Sequence, residues 1–242
     1  MKKPSEGLLS DLRPSVRFST LGSLLTDAVR SESDGDESVD SIFDQNPVDL
    51  ETFLYDPDYL NLSIRLSAPQ IEFVSNLSNI FDPPLYTEGV LQAGQGSGKD
   101  TCSIFMNLRI IYLLQCLKSP QRYFNMDENS FIDSINVAPN ADLAKNIYFM
   151  TLSNIVRNAP LFQEGSPYYI QNKMTANMVT FPKNVRLLSG NSENESWQGY
   201  TPILIVLDEI DAFKSTQELR RSKSLRSEGA EGIYDTAKAL VQ

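Results

Sequence analysis

The sequence predicts an α/β fold in which a mostly parallel sheet carries helices on both faces. Three observations support this. Short apolar segments alternate along the chain with segments of helical periodicity. A glycine-rich stretch, Leu91 to Thr101, lies between a predicted strand and a predicted helix. The most apolar predicted strand ends directly in Asp208 and Glu209, and ligands of parallel sheets bind beyond such strand ends.

The first half of the domain begins with a helix and a strand. Ser67 is a suitable N-cap, and apolar residues follow it at helical spacing as far as Ile80. The prolines at 83 and 84 end this helix. Residues 86–94 are then predicted to form a short strand, and residues 99–116 an apolar helix.

The second half supplies three strands and one helix. Residues 133–139, 184–190 and 202–211 are predicted to be strands, and residues 141–160 an amphipathic helix. The alternation of strands and helices is what predicts parallel pairing, because parallel strands require crossover connections.

Composition limits the classes of protein to consider. The chain of 242 residues has no histidine, so the commonest zinc ligand and the usual base near neutral pH are missing. No apolar run approaches the ~18 residues of a membrane span. The two cysteines lie in an apolar segment and are expected to be buried free thiols in a reducing compartment.

Charge divides the chain at residue 48. Residues 1–48 are acidic and are predicted to be a flexible tail, or alternatively a docking segment, while residues 49–242 form one domain. The net charge of −10 argues against a nucleic-acid coat protein. The basic run at 214–226 still allows local contacts with DNA phosphates, although a solvated helix face explains it as well.

The glycine-rich stretch has the composition of a phosphate-binding loop. Glycines at alternate positions let the backbone N–H groups point inward, and the following helix adds its N-terminal dipole. Lys99 is placed to reach the terminal phosphates. Two positions depart from the usual pattern: Ala93 replaces a glycine, and Asp100 replaces the Ser or Thr that normally holds magnesium. The predicted nucleotide-binding residues here are Gly94, Gln95, Gly96, Ser97, Gly98, Lys99, Asp100 and Thr101, and the alternative is a turn without a ligand.

The acid pair supplies the remaining chemistry that such a loop needs. Asp208 is the candidate Mg²⁺ ligand, with Asp100 as a second one and the Thr101 hydroxyl as the alternative to Asp100. Glu209 is the candidate that polarises an attacking water. A strand that merely ends in solvated acids is the alternative reading.

Further candidates lie outside these two segments. Gln70 could pair with the edge of adenine, with Tyr55 or Tyr59 stacked on the ring. The polar stretch that contains Trp197 is typical of an exposed functional loop. The candidate arginine fingers are Arg157, Arg186, Arg220 and Arg221, and an ordinary surface position is the favoured alternative for each of them.

The order of these motifs resembles the ATPase half of a tailed-phage terminase large subunit. The resemblance covers about residues 50–235 and includes "NVAPN" at 136–140, "LLSG" with "SWQGY" after it, and "VLDE" at 206–209. It implies a P-loop NTPase of the RecA or ASCE type that uses ATP and Mg²⁺. In that family pattern Lys99 binds phosphate, Asp208 holds Mg²⁺ and Glu209 is the catalytic carboxylate.

The resemblance also implies partners and a cellular role. Gln70 would read adenine, and because Gln95 stands where the family often has an arginine, Arg157 becomes the candidate catalytic arginine. The implied partners are double-stranded DNA, the portal protein of the procapsid, the small terminase subunit and further copies of the chain in a ring, all in the host cytoplasm. The family's coupling strand and nuclease domain would follow Gln242, so no nuclease activity is expected from this polypeptide.

Two other functions stay open at this point. A superfamily 2 helicase or translocase shares the glutamine, the loop and the acid pair. A non-catalytic nucleotide-binding scaffold would explain Asp100 as the mark of an inactive site.

Overall fold

The computed structural model describes residues 42–81, 86–94, 96–139, 148–170, 174–191, 200–210 and 230–241. Residues 42–242 form a compact unit of their own. Most of the predicted tail therefore lies outside the described residues. Its last part, residues 42–48, packs on the domain: the Asp44 N–H donates to the Cys116 carbonyl, and the Lys118 N–H donates to the Ile42 carbonyl, each over 2.9 Å.

The described residues form six α-helices, one 3₁₀ turn and four strands. The helices are α1 (Leu50–Tyr55), α2 (Ala68–Leu77), α3 (Lys99–Cys116), α4 (Pro120–Tyr123), α5 (Met150–Asn158) and α6 (Ala230–Val241), and the 3₁₀ turn spans Pro160–Phe162. The strands are β1 (Ile132–Ala138), β2 (Met178–Phe181), β3 (Val185–Asn191) and β4 (Pro202–Leu207).

The four strands form one mixed sheet in the order β2-β3-β1-β4. Strand β1 is parallel to both β3 and β4, and β2 is antiparallel to β3. Every residue of β1 is buried, as expected for a strand with covered faces and two parallel neighbours. The predicted α/β fold with a mostly parallel sheet is confirmed.

Helices cover both faces of this sheet. On one face, Ser134 of β1 donates a hydrogen bond to Asn107 of α3 over 2.9 Å. On the other face, Ile135 and Val137 pack in one apolar cluster with Ile233 and Ala237 of α6. Because side chains alternate along a strand, the even-numbered residues of β1 face α3 and the odd-numbered ones face α6.

Helix α3 is the centre of the larger apolar core. Almost all of its residues from Cys102 onward are buried, so the helix is enclosed by the core around its whole circumference. Tyr112 stacks on Phe53 of α1 with ring centroids 5.0 Å apart, and its hydroxyl accepts a hydrogen bond from the Val48 N–H. Both cysteines are free and buried, as their apolar sequence surroundings predicted.

The predicted strand at 86–94 is absent, which corrects the sequence reading. Within the described residues, the sheet consists of β2, β3, β1 and β4 alone, so no strand pairs with this segment. Its residues are exposed, and Val90 retains 83% of its accessible surface. An apolar run forms a strand only where another strand accepts it, and the sequence of the run does not contain that information.

Other differences concern boundaries. The helix predicted at 141–160 is described only from 148, and its α-helical part ends at Asn158 because Pro160 begins the 3₁₀ turn. Strand β4 ends at Leu207 rather than at 211, and the short strand β2 was not predicted. In the described part of the chain, every helix is too short or too polar to cross a membrane.

Candidate functional site: a glycine-rich loop facing an acidic strand end

The glycine-rich loop, residues 94–98, turns through two left-handed glycines. Gly96 and Gly98 have φ values of 76° and 80°, a conformation that costs other residues roughly 1–2 kcal/mol. The Ser97 N–H donates to the Gly94 carbonyl over 3.2 Å and closes the turn. Gln95, a predicted site residue, lies outside the described residues.

Gly98 is also the N-cap of α3. The first N–H groups of a helix have no partner within the helix. Those of α3 therefore point toward the glycine-rich loop, where the positive end of the helix dipole also lies. Thr101 lies in this first turn, and its side chain is close to Gly98. The loop therefore has the backbone geometry of an anion site at a helix N-terminus.

The Lys99 side chain joins the loop to the acid pair. Its ammonium nitrogen lies 3.0 Å from a carboxylate oxygen of Asp208, 3.7 Å from one of Glu209 and 3.6 Å from Asp100 Oδ1. The fold thus brings together residues that are 109 positions apart in sequence.

The backbone after β4 places the two acids. The Asp208 N–H donates to the Val137 carbonyl over 2.9 Å, which extends the β1–β4 ladder by one step. Glu209 then takes a left-handed φ of 53°, so the chain turns immediately after Asp208. This turn explains why β4 stops short of the predicted end. It leaves the Glu209 side chain the more exposed of the pair.

The charges around Lys99 stabilise its protonated form. Partial burial by itself lowers the pKa of the ammonium group, but the hydrogen bond and charge of Asp208, together with Asp100 and Glu209, outweigh burial. The net effect is a raised pKa, so Lys99 is a cation throughout the neutral range.

The carboxylates suit a magnesium ion bound together with a nucleotide. Asp100 Oδ1 is buried and makes no hydrogen bond, and it contacts the Lys99 ammonium only at ion-pair distance, so a hard oxygen donor is present at the start of α3. The described residues include no group of three or more acidic or cysteine side chains arranged around one metal position. Magnesium in nucleotide sites is usually held by one or two carboxylates plus substrate phosphates, which is the donor set that Asp208 and Asp100 can offer.

Gln70 contacts the loop directly. Its Nε2 donates to the Ser97 carbonyl over 3.0 Å, and its Oε1 accepts from the N–H and the hydroxyl of Ser67 at 2.8 and 3.0 Å. The amide therefore connects the start of α2 to the glycine-rich loop. Reading adenine would require it to exchange at least one of these partners.

The two tyrosines predicted to stack on adenine are already engaged. Tyr59 packs edge-on against the Tyr112 ring at 5.8 Å, within the core. Tyr55 carries the Arg65 guanidinium over its ring at 3.9 Å, and its hydroxyl accepts from the Leu66 N–H. Arg65 was missed by the sequence reading, because a cation beside an aromatic ring across ten residues has no local pattern.

The candidate arginines separate into three groups. Arg186 is structural: it pairs with buried Asp133 through two hydrogen bonds, at 2.7 and 3.0 Å, and its guanidinium lies over the Phe131 ring. Arg157 is exposed in the last turn of α5, and among the described residues no hydrogen bond or ion pair connects its side chain with the site. Arg220 and Arg221 lie outside the described residues, as do Trp197 and the basic run.

A glycine-rich loop that caps a helix, with its lysine paired to an acid at the end of a parallel strand, defines a P-loop nucleotide-binding domain. Comparison with protein families agrees: residues 22–242 match the family described as "Uncharacterized protein MJ0330, N-terminal P-loop domain". The match spans most of the chain, and the chain belongs to this family. Neither the curated proteins nor the solved structures gave a significant match. The family description specifies a P-loop domain and names no terminase or packaging function.

Proposed function

We propose that this P-loop domain hydrolyses ATP in a Mg²⁺-dependent reaction. The observation that carries the proposal is the 3.0 Å contact between Lys99 and Asp208, because it sets the phosphate-binding and metal-binding groups side by side. A glycine-rich turn without a ligand would not need an acidic strand end at this position.

Each residue has a defined task in the proposed reaction. Lys99 exchanges its carboxylate partners for phosphate oxygens, while the N–H groups of the loop and of the first turn of α3 bind the remaining oxygens. Mg²⁺, held by Asp208 with Asp100 as a second candidate, would neutralise the charge that develops on the phosphates. Glu209 accepts the proton of the attacking water, a task that its greater exposure and its turn away from β4 permit.

Turnover of Mg·ATP by purified protein tests this proposal. Glu209→Gln is expected to bind ATP normally and to turn it over about 10²- to 10⁴-fold more slowly, since it loses a general base. Glu164→Gln, a change of the same type at another exposed carboxylate, serves as the control and is expected to keep the wild-type rate. Binding of Mg·ATP without turnover by the wild-type protein, with DNA present, would refute the hydrolase and favour a nucleotide-binding scaffold.

We further propose that this ATPase is the motor domain of a terminase large subunit that drives double-stranded DNA into a procapsid. The support is the order and spacing of the motifs from Gln70 to Glu209, and the exposed position of Arg157, which leaves it available to a neighbouring subunit. The proposed partners are the portal protein, the small terminase subunit and further copies of the chain in a ring.

The nucleic acid that stimulates turnover separates this role from that of a helicase. A terminase motor is expected to respond to double-stranded DNA in a salt-dependent way. Stimulation by single strands alone would instead favour a helicase. An Arg157→Ala protein that keeps full activity in the assembled ring would remove Arg157 from its proposed role.

A further inference from the structure

A buried polar cluster lies between α3 and the sheet, and the reaction proposed above does not use it. Its members are Asn136 in the middle of β1, Asn107 in α3 and Tyr148 just before α5. Both asparagines are 0% exposed and Tyr148 is 1% exposed. Ser134 belongs to the same cluster through its hydrogen bond to Asn107 Oδ1.

Part of the hydrogen-bonding capacity of this cluster is unmet by the residues that the structure describes. Within the described residues, neither amide atom of Asn136 has a hydrogen-bond partner, and the Tyr148 hydroxyl and the Asn107 amide nitrogen lie close together without completing a hydrogen bond of normal geometry. A buried polar group without a partner loses its hydration and gains nothing in return, so such groups are rare unless water or a ligand satisfies them. Donors and acceptors are both present, which is the combination that an internal water molecule requires.

The strand register places this cluster beneath the acid pair. Asn136 is opposite Val206, and Asp208 follows two residues further along the same edge. Residues in register on parallel strands point to the same face, and alternate residues share that face, so Asn136 and Asp208 both lie on the α3 side. One strand spacing and two residue steps separate their Cα atoms by about 8 Å, which leaves room for a water molecule between the two side chains.

The surroundings of Tyr148 point to the same place. Burial raises the pKa of its hydroxyl, weak hydrogen-bonding contacts with the side chains of Asn107 and Ser103 partly offset this, and the charges of Asp208 and Asp100 act in the same direction as burial. The hydroxyl is therefore protonated, and it lies within electrostatic reach of both carboxylates.

We propose that Asn136, Asn107 and Tyr148 form a polar floor that holds ordered water beneath Asp208 and so positions that carboxylate for the metal. Asn136 is a positioning residue in this scheme, since it acts through the water and Asp208. The inference rests on the proposed nucleotide function. A leucine at position 136 would suit a buried parallel strand better than an asparagine does, so packing alone does not explain the amide at this position.

The test compares Asn136→Leu and Asn136→Ser with Gln115→Met. Gln115 is another buried amide of α3 with an unpartnered oxygen, about 24 Å along the helix axis from Lys99. The measurements are the melting temperature, the affinity for Mn²⁺ in the presence of ATP, and kcat. We expect Asn136→Leu to melt at or above the wild-type temperature while Mn²⁺ affinity and kcat fall about 10- to 100-fold, as is typical when support of a metal ligand is lost.

The variant Asn136→Ser and the control Gln115→Met show whether any losses in Asn136→Leu are specific to the polar floor. Asn136→Ser, which can still bind water, is expected to recover part of both losses, and Gln115→Met to change neither. Wild-type Mn²⁺ affinity and kcat in Asn136→Leu would overturn the proposal. If that variant does not fold, Tyr148→Phe, which removes a single oxygen, is judged by the same criteria.

Failure of the proposed function would look different. If the wild-type protein binds Mg·ATP but does not turn it over, the proposed hydrolase activity is refuted. The polar floor is still tested in that case, because the Mn²⁺ affinities of the wild type and of Asn136→Leu can be compared without turnover.

Discussion

Replacing Lys99 with methionine tests whether one ammonium group holds the site together. Its nitrogen has three carboxylate oxygens between 3.0 and 3.7 Å away. At the dielectric constant of water, each contact contributes about 1.1–1.4 kcal/mol of attraction, so the three together give about 3.7 kcal/mol. The Lys99 side chain is 34% exposed, and solvent screening and side-chain entropy reduce this to about 1–2 kcal/mol.

Lys99→Met is expected to lower the free energy of unfolding by this amount, or roughly 2–8 °C in melting temperature for a chain of this size. It should also weaken Mg·ATP binding about 10- to 100-fold, because a hydrogen bond to a charged phosphate contributes about 1.5–3 kcal/mol. Thermal melts without nucleotide and titrations with a fluorescent ATP analogue measure the two effects separately. Lys99→Arg keeps the charge, and we expect it to recover most of the stability.

The pH dependence follows from the direction of the pKa shift. Because the folded-state pKa of Lys99 is raised, its stabilising effect is complete below the unfolded value and is lost only as the pH rises through the higher folded value. The contribution of Lys99 to the difference between wild type and Lys99→Met should therefore be constant from about pH 7 to 9. A methionine variant with wild-type stability and wild-type affinity for Mg·ATP would refute this account of the site.

Four further substitutions test the glycine-rich loop, its contact with Gln70 and the buried ion pair of Arg186. Gly98→Ala should lower the free energy of unfolding, measured in thermal melts, by about 1–2 kcal/mol, because its φ is positive and the new Cβ would lie 2.7 Å from Gln70 Nε2. Gly94→Ala, with open space around the new Cβ, should leave the free energy of unfolding nearly unchanged. Gln70→Glu keeps an oxygen for the α2 cap but cannot donate to the loop, so nucleotide titration should show weaker binding at almost unchanged stability. Arg186→Ala leaves buried Asp133 without its cation and should cost about 3–5 kcal/mol in denaturant unfolding.

Each of these expectations has a contrary result. Equal melting temperatures for the two glycine variants would mean that the loop does not need its left-handed turn. Tight nucleotide binding by Gln70→Glu would make the contact with Ser97 incidental. A stable Arg186→Ala protein with impaired turnover would return Arg186 to the list of catalytic arginines.

The sequence predicted the centre of the site because its signals are local. Glycine spacing before Lys99 specifies a tight turn at a helix start, and an apolar run that ends in two acids specifies a strand end. In an α/β sheet those two features meet at the same edge. The distance of 109 residues between Lys99 and Asp208 therefore did not prevent the prediction.

The sequence did not predict partners that depend on packing. Residues 86–94 have the composition of a strand, but pairing depends on a neighbour that no local pattern specifies. The structural role of Arg186 could not be predicted for the same reason, because it depends on the strand register that places Arg186 opposite Asp133. Only the alignment of "IDSIN" with "VRLLS" in adjacent parallel strands shows that the two charges meet.

The burial of α3 on all sides has a mechanical consequence. A helix enclosed by core side chains cannot slide or rotate without opening voids, at a cost of about 24 cal/mol for each Å³ of cavity. The start of this helix, where the phosphates would bind, is therefore held in a fixed position. Any displacement that the nucleotide drives must be carried by the residues around this position: the loop ahead of the helix and the turn after β4. Amide hydrogen exchange should find α3 among the slowest segments with or without nucleotide, and those two turns among the segments that respond.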